Sequence, residues 1–490
     1  MFKKRFKKEL DANINLEDFD VNSLNIQKVK KTRNLKKKLL IGIPSFLVAV
    51  SIISTGTVFA IKYENSKKPK DTPINKEYTL SEVKVMEEAY FQRINNFEYP
   101  SVSNLKELEK NYSKEEIDNY ASYSDKVFKA LKREENISFS PVTLYSVLNQ
   151  ISLSTNDTEI TTLFNDLLGN INRTDFYKKV FESNFYEFPN GFTKMYNALF
   201  SNSHYKSNQE CIDDLTKVYT EVYNADFQDE RAVQKMINWV NQALNEKMID
   251  KKWLEMSDDT ICYFFSTLNF NHRWAPSFNV KDSYKDSFYY QEGESKQVTF
   301  MHKKYMTQSY YDYGTYYSVK DYYSQKCSVT YLFPKSDSDE YILDLISDNN
   351  IFLEDEDYLI KNDDYAPIVV NLSLPKFSYT TDLNLKNTLK HLGFEKIFDN
   401  ESNVLNRLYN PYDNGGLTTY IDIIKQRNKV SFSEDGTTIR SVSVASGGPT
   451  STSSIGTIEA NLNRPFIYII KDTNDIPLFV GVCDNPVNEK

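Results

Sequence analysis

Residues 437–445 read Thr-Thr-Ile-Arg-Ser-Val-Ser-Val-Ala, and no other stretch restricts the fold as much. Small residues at Ser441, Ser443 and Ala445 alternate with Val442 and Val444. Period-two patterning with β-branched residues is the grammar of a strand. The setting is that of an exposed loop: residues 446–454 are Ser, Gly, Pro and Thr only. A segment with both characters can be solvated loop in one state and sheet in another. The fold around it must permit that switch.

A second feature sets the topology. Residues 39–61, LLIGIPSFLVAVSIISTGTVFAI, carry no charge. As a helix they would span about 35 Å, enough to cross a hydrocarbon core of about 30 Å. Lys36, Lys37 and Lys38 precede them directly. The positive-inside rule then places the amino terminus in the cytoplasm and everything after residue 61 outside. The small residues around Ala60 also suit a signal peptidase, whose cut there would release the remainder. The long polar tail ahead of the apolar run favours an uncleaved single-pass anchor.

Charge is divided along the chain. Residues 1–38 hold 12 Lys and Arg against 5 Asp and Glu, a net +7, so the remainder carries −16 of the chain's total of −9. The basic tail lacks interleaved aromatics or a reader motif, so nucleic acid is not expected as a partner. Cys211, Cys262, Cys327 and Cys483 are too far apart for a metal-binding pair, and the four histidines show no HExxH spacing. There is no GxSxG or Walker loop. No metal, cofactor or catalytic residue is predicted.

Residues 62–113 read as a polar linker followed by a helical spacer, with a helical stripe predicted over 79–112. From residue 114 to the end the chain is dense in apolar periodicity. Helices are predicted over 124–133, 142–152, 158–168, 232–248 and 383–392. Strands are predicted over 195–201, 261–270, 310–333, 368–377, 466–471 and 477–483. Helices first and mixed strands later imply an α+β architecture with large sheets.

Several ordered blocks carry a resemblance. Asn463-Arg464-Pro465-Phe466, Pro477-Leu-Phe-Val-Gly481 and Asn485-Pro486 resemble the carboxy-terminal pattern of the serpin family. Asn136-Ile-Ser-Phe-Ser-Pro141, Asn238-Trp239-Val240, the spacing of Phe270, Trp274 and Phe278, Pro375-Lys376-Phe377 and Leu392-Gly393 with Phe398 match further blocks in the same order. The resemblance implies a serpin fold over residues 114–490, with three β-sheets, about nine helices and an exposed reactive-centre loop. It implies a mechanism as well. A target protease cuts the loop, and the cut loop enters the central sheet as a new strand. The protease, still acylated, is distorted before it can deacylate. The partner would be that protease, held covalently, and the inhibitor itself is expected to be a monomer.

The same resemblance assigns the loop. Glu434, Gly436, Thr437, Ile439 and Ser441 fall at the hinge. Glycine suits a hinge's backbone angles, and Thr437 is the first side chain that must turn inward, where a charge would be costly. Ile439, Arg440 and Val442 depart from the Ala-rich hinge of inhibitory members. Counting seventeen residues from Glu434 puts the reactive bond at Thr450–Ser451, and a loop longer than usual would move it as far as Ser454–Ile455. No Lys or Arg lies between Ser441 and Ile455, which argues against a trypsin-like target and for elastase-like or subtilisin-like serine proteases, or a cysteine protease. Ser140 and Thr143 match the family's polar cluster that controls sheet opening, with Ser266 standing where Asn is usual and Gln426 where His is usual, and Trp274 matches the tryptophan beneath the loop's entry. The alternative is a non-inhibitory member acting as a surface binding or scaffolding protein.

Overall fold

The computed structural model describes residues 90–132, 136–290, 294–335, 340–360, 367–437 and 457–487. The apolar run 39–61, Ile439, Ser441 and the bond Thr450–Ser451 lie outside the described residues. Among the described residues no helix is long and apolar enough to cross a membrane.

Three sheets carry the fold. The long strands of the central sheet are β1 (Gly191–Asn202), β2 (Cys262–His272), β3 (Phe377–Asn384) and β4 (Lys425–Ser433), with a two-residue strand β5 at Gly436–Thr437. Their order is β1-β2-β5-β4-β3. Thr220–Ala225 pairs parallel to the free edge of β1, and Phe91–Arg93 pairs antiparallel outside it. Phe185–Phe188 forms a hairpin with β1, completing eight strands. The second sheet has six strands, ordered Asn136–Phe139, Pro477–Cys483, Phe466–Lys471, Ser328–Pro334, Tyr316–Tyr322 and Tyr310–Asp312. The third has four: Thr457–Asn461, Ile368–Pro375, Ser295–Thr307 and Tyr284–Tyr289. Nine α-helices accompany them among the described residues, so architecture and helix count match what the resemblance implies.

Local chemistry explains the elements that place the site. Helix α1 (Lys114–Ala130) begins ten residues before the predicted 124, because Ser113 and Glu116 close a capping box around its first turn. Helix α2 (Pro141–Leu153) starts on a proline, which gives up no intrahelical hydrogen bond at that position. Val142, Leu144, Tyr145, Leu148 and Ile151 are all buried, since α2 runs beneath the central sheet. Helix α3 (Glu230–Leu244) stops at Asn245 in a left-handed conformation, four residues short of the predicted 248. It covers the opposite face of the sheet.

Alternation in β2 sorts its side chains between these layers. Leu268 and Phe270 join the main core, and Phe265 joins a second cluster with Met236 and Val240 of α3. Of the stretch 79–112 expected to be helical, residues 79–89 lie outside the described residues. The described part holds the edge strand Phe91–Arg93, paired with Thr220–Ala225, and a 3-10 turn at Leu105–Leu108. Asn95 secures that pairing, bonding Thr220 O at 2.8 Å, Thr216 Oγ1 at 2.7 Å and the amide of Val222 at 2.8 Å.

Candidate functional site: the mouth and slot of the central sheet

Gly436–Thr437, the described part of the expected hinge, lies inside the sheet. Thr437 pairs with His272 of β2 on one side and Phe432 of β4 on the other, and Gly436 pairs with Ser433. Beyond that point, among the described residues, no strand pairs with the facing edges of β2 and β4. A cavity of about 560 Å³ lies between them. Residues 262–270 and 425–430 line its sides, with Thr143, Leu144, Val147 and Ile151 of α2 on the inner face. Among the described residues neither facing edge has a strand partner there, and a new strand would supply one to the backbone groups of both.

Sequence determines why Gly436 and Thr437 occupy the mouth. Gly436 has φ +145, and a Cβ built there would stand 2.1 Å from His272 O, so only glycine fits. Thr437 is 3% exposed, and its hydroxyl meets Tyr323 OH at 2.7 Å. Tyr323 stacks on Trp274 with ring centres 4.5 Å apart. Trp274 donates its Nε1 hydrogen to Ser433 O at 2.7 Å, tying the end of β4 to this aromatic stack. Glu434 accepts from Lys376 Nζ at 2.7 Å. Burial pushes the Glu434 carboxyl up, and the hydrogen bond and charge of Lys376 more than reverse that, holding it below the usual carboxylate range.

His272, whose backbone pairs with Thr437, is buried at 0% exposure. Its ring reaches Thr193 Oγ1 at 2.9 Å, Tyr186 OH at 3.3 Å and Gln325 Oε1 at 3.1 Å. Burial holds the imidazole pKa down to about 4.

The four residues assigned to sheet opening divide. Three come together: Gln426 Oε1 accepts from the Ser140 amide at 2.8 Å, and Gln426 Nε2 donates to Ser140 O at 2.9 Å and Thr143 Oγ1 at 2.7 Å. Ser140 Oγ donates instead to Leu478 O at 2.8 Å. Ser266 does not join them, and its hydroxyl is buried without a hydrogen-bond partner. A second cluster, absent from the sequence reading, holds α2 to β1. Tyr177 OH donates to Ser146 Oγ at 2.7 Å, and Ser146 Oγ to Asn197 Oδ1 at 2.9 Å. So α2 is bonded to β4 on one side of the slot and to β1, behind β2, on the other.

The outer mouths of the slot are bridged by charge. Lys425 donates to Trp253 O at 2.9 Å, Arg427 to Met248 O at 2.7 Å, and Lys429 pairs with Glu246. These outward side chains of β4 hold the segment that links α3 to β2, so that segment spans the slot.

Lys376, Tyr323, His272, Asn197 and Tyr177 were not picked out from sequence. Lys376 stood inside a matched block, but its partner lies 58 positions away. Alternation marks inward residues and does not say which distant strand they meet.

The chain was compared with known proteins. Residues 118–486 match the family model described as Serpin (serine protease inhibitor). A serine protease inhibitor of Mus musculus is 26% identical over 274 residues, covering 54% of this chain and 62% of that protein, so under two thirds of that relative's length is spanned. Alpha-1-antiproteinase S of Cavia porcellus is 22% identical over 389 residues, covering 75% of this chain and 90% of that protein. Among solved structures, the thermophilic serpin tengpin in its latent state superposes with a TM-score of 0.62 at 20% identity, over 78% of this chain and 100% of that one. Its native state gives 0.61 at 21% identity, over 79% and 97%.

Proposed function

This chain belongs to the serpin family, and on that premise we propose that it is a suicide-type protease inhibitor whose cleaved loop enters the slot between β2 and β4. The observation that carries this reading is the hinge itself: β5 lies between the two strands at the head of a slot in which no other described strand pairs. It runs antiparallel to both, so its continuation would complete an antiparallel ladder on each side.

The pairing of Thr437 fixes the register of that continuation. Ile439 would come opposite Phe270 and Val430, and Ser441 opposite Leu268 and Asn428. Ser443 would come opposite Ser266 and Gln426, and Ala445 opposite Phe264 and Ile424. These positions face the main core, as Thr437 does. Each is uncharged, and Ser443 would bring a hydroxyl to the strand position of the unpartnered Ser266. Filling both edges adds roughly one net kcal/mol per backbone hydrogen bond, on the order of 10 kcal/mol for eight residues. That gain drives the insertion and makes the uncut form a kinetically trapped one.

The finer parts of the proposal rest on sequence. The absence of Lys and Arg near Thr450–Ser451 favours elastase-like or subtilisin-like serine proteases or a cysteine protease as target. Residues 39–61 would anchor the inhibitor with its serpin domain outside the membrane. The protein supplies no catalytic group of its own, since the acylation chemistry belongs to the target.

Incubation with a panel of serine and cysteine proteases tests the reading. An SDS-resistant complex, release of a carboxy-terminal piece of roughly 40 residues and a raised melting temperature of the cut protein are expected. Simple cleavage with no complex and no gain in thermal stability points to a non-inhibitory surface protein.

A further inference from the structure

Beneath the mouth of the slot lies a buried ion pair that the hinge by itself does not require. Lys303 Nζ stands 2.7 Å from Asp321 Oδ2, with side-chain exposures of 3% and 0%. The same ammonium lies over the rings of Trp274, Phe278 and Tyr305, at 4.7, 4.5 and 5.2 Å from their centres. It also donates to Pro276 O at 3.1 Å. Asp321 accepts the amide of Tyr322 at 2.8 Å.

Such a pair adds little net stability. Desolvation offsets the attraction, and apolar residues of similar volume replace buried pairs elsewhere without loss. Burial pushes Lys303 down and Asp321 up, each opposed by the charge of the other. What distinguishes this pair is its position. Trp274 bonds the last residue of β4 through Ser433 O and stacks on Tyr323, which holds Thr437.

We propose that Lys303, held in place by Asp321, is a positioning residue that fixes Trp274 as the pin at the mouth of the slot and so sets how fast a strand enters. A desolvated cation against the ring fixes its place. The indole N–H is then held toward the Ser433 carbonyl, and the end of β4 cannot draw away from β2. Removing the cation frees the ring, and with it the end of β4. The proposal rests on the insertion reading above and names a determinant of its rate.

The test uses the full chain and a synthetic peptide, TIRSVSVASGGPT, corresponding to residues 438–450. Annealing is followed by native-gel shift and by the rise in melting temperature. In Lys303→Met/Asp321→Leu, which removes both charges together, the free protein is expected to melt near the wild-type temperature. Peptide is expected to anneal about thirtyfold faster, the rate equivalent of losing one desolvated cation–π contact. Phe278→Leu, a milder change to the same cage, is expected to move the rate in the same direction. Lys303→Arg, which keeps the charge, is expected to retain the wild-type rate. Annealing that is unchanged or slower in the double variant and in Phe278→Leu, while the wild type anneals, overturns the proposal. A wild-type chain that takes up no peptide overturns the insertion reading, and this proposal with it.

Discussion

Replacing Thr437 by arginine puts the hinge under the heaviest load that one side chain can apply. Thr437 is 3% exposed and Tyr323 2%. The substitution removes the hydroxyl that meets Tyr323 OH at 2.7 Å, and a buried phenol left without a partner costs about 1–3 kcal/mol. The guanidinium must also leave water. Asp321, whose charge acts on Tyr323, is already engaged by Lys303, so the new cation has no free acceptor there. Part of the desolvation cost is avoided because the long side chain can bend back through the mouth, leaving about 2 kcal/mol. Because the intact chain already seats Thr437 in the sheet, the arginine is expected to push the hinge out, and returning it on insertion then costs about 4 kcal/mol, roughly a thousandfold in the equilibrium for entry. Thr437→Arg is therefore expected to be cut by the target at a normal rate, yet to form almost no SDS-resistant complex. Its cut form is expected to melt much closer to the intact form than cut wild type does. Stoichiometry of inhibition and differential scanning calorimetry before and after cleavage give the two readings. A variant that still forms complex one-to-one, with the full rise in melting temperature, would refute the placement of Thr437 as an inward hinge position.

Three further outcomes follow from the same geometry. Gly436→Ala would set a Cβ 2.1 Å from His272 O at a φ that alanine rarely adopts, so β5 should leave the sheet; hydrogen exchange at Thr437 should rise sharply, and unchanged protection would count against the pairing. Burial holds His272 at about 4 against 6.5 when unfolded, so the native state binds fewer protons than the unfolded chain between those values. Stability should then fall by about 3 kcal/mol as pH drops through that window, and His272→Gln should remove this part of the slope in denaturant titrations at several pH values. Asn95→Ala leaves the Val222 amide and Thr220 carbonyl without their side-chain partner, and urea titration should show a loss of about 2–3 kcal/mol; a loss under about 0.5 kcal/mol would mean that the strand at Phe91–Arg93 contributes little.

Much of this architecture was legible along the chain because the signals are local. The helix at Thr158–Leu168 and the strands at Phe466–Lys471 and Pro477–Cys483 fall where periodicity places them. The break before α2 is written in Ser140-Pro141, and the match to Gly436-Thr437 located the mouth of the slot before any strand pairing was known. The errors arose where a local pattern met a distant partner. The helical spacing expected to run on to residue 112 does not hold at Phe91–Arg93, which is a strand because the open edge of Thr220–Ala225 is available to it. No element was predicted over 378–382, where the strand Phe377–Asn384 runs, and the helix predicted over 383–392 is the shorter Lys386–His391.

What the sequence determined by itself, then, was the family, the Gly-Thr pair that sits at the mouth of the slot and the alternation of uncharged residues that follows Thr437 in sequence. Each of these is set by near neighbours, so order along the chain suffices. Tertiary structure alone decided which groups meet around the slot. Gln426 grips Ser140 and Thr143 while Ser266 stands apart, and Lys303 reaches Trp274 across 29 positions of sequence. Those meetings depend on how three sheets stack around one helix, and the free energy of a buried contact depends on what surrounds it in space.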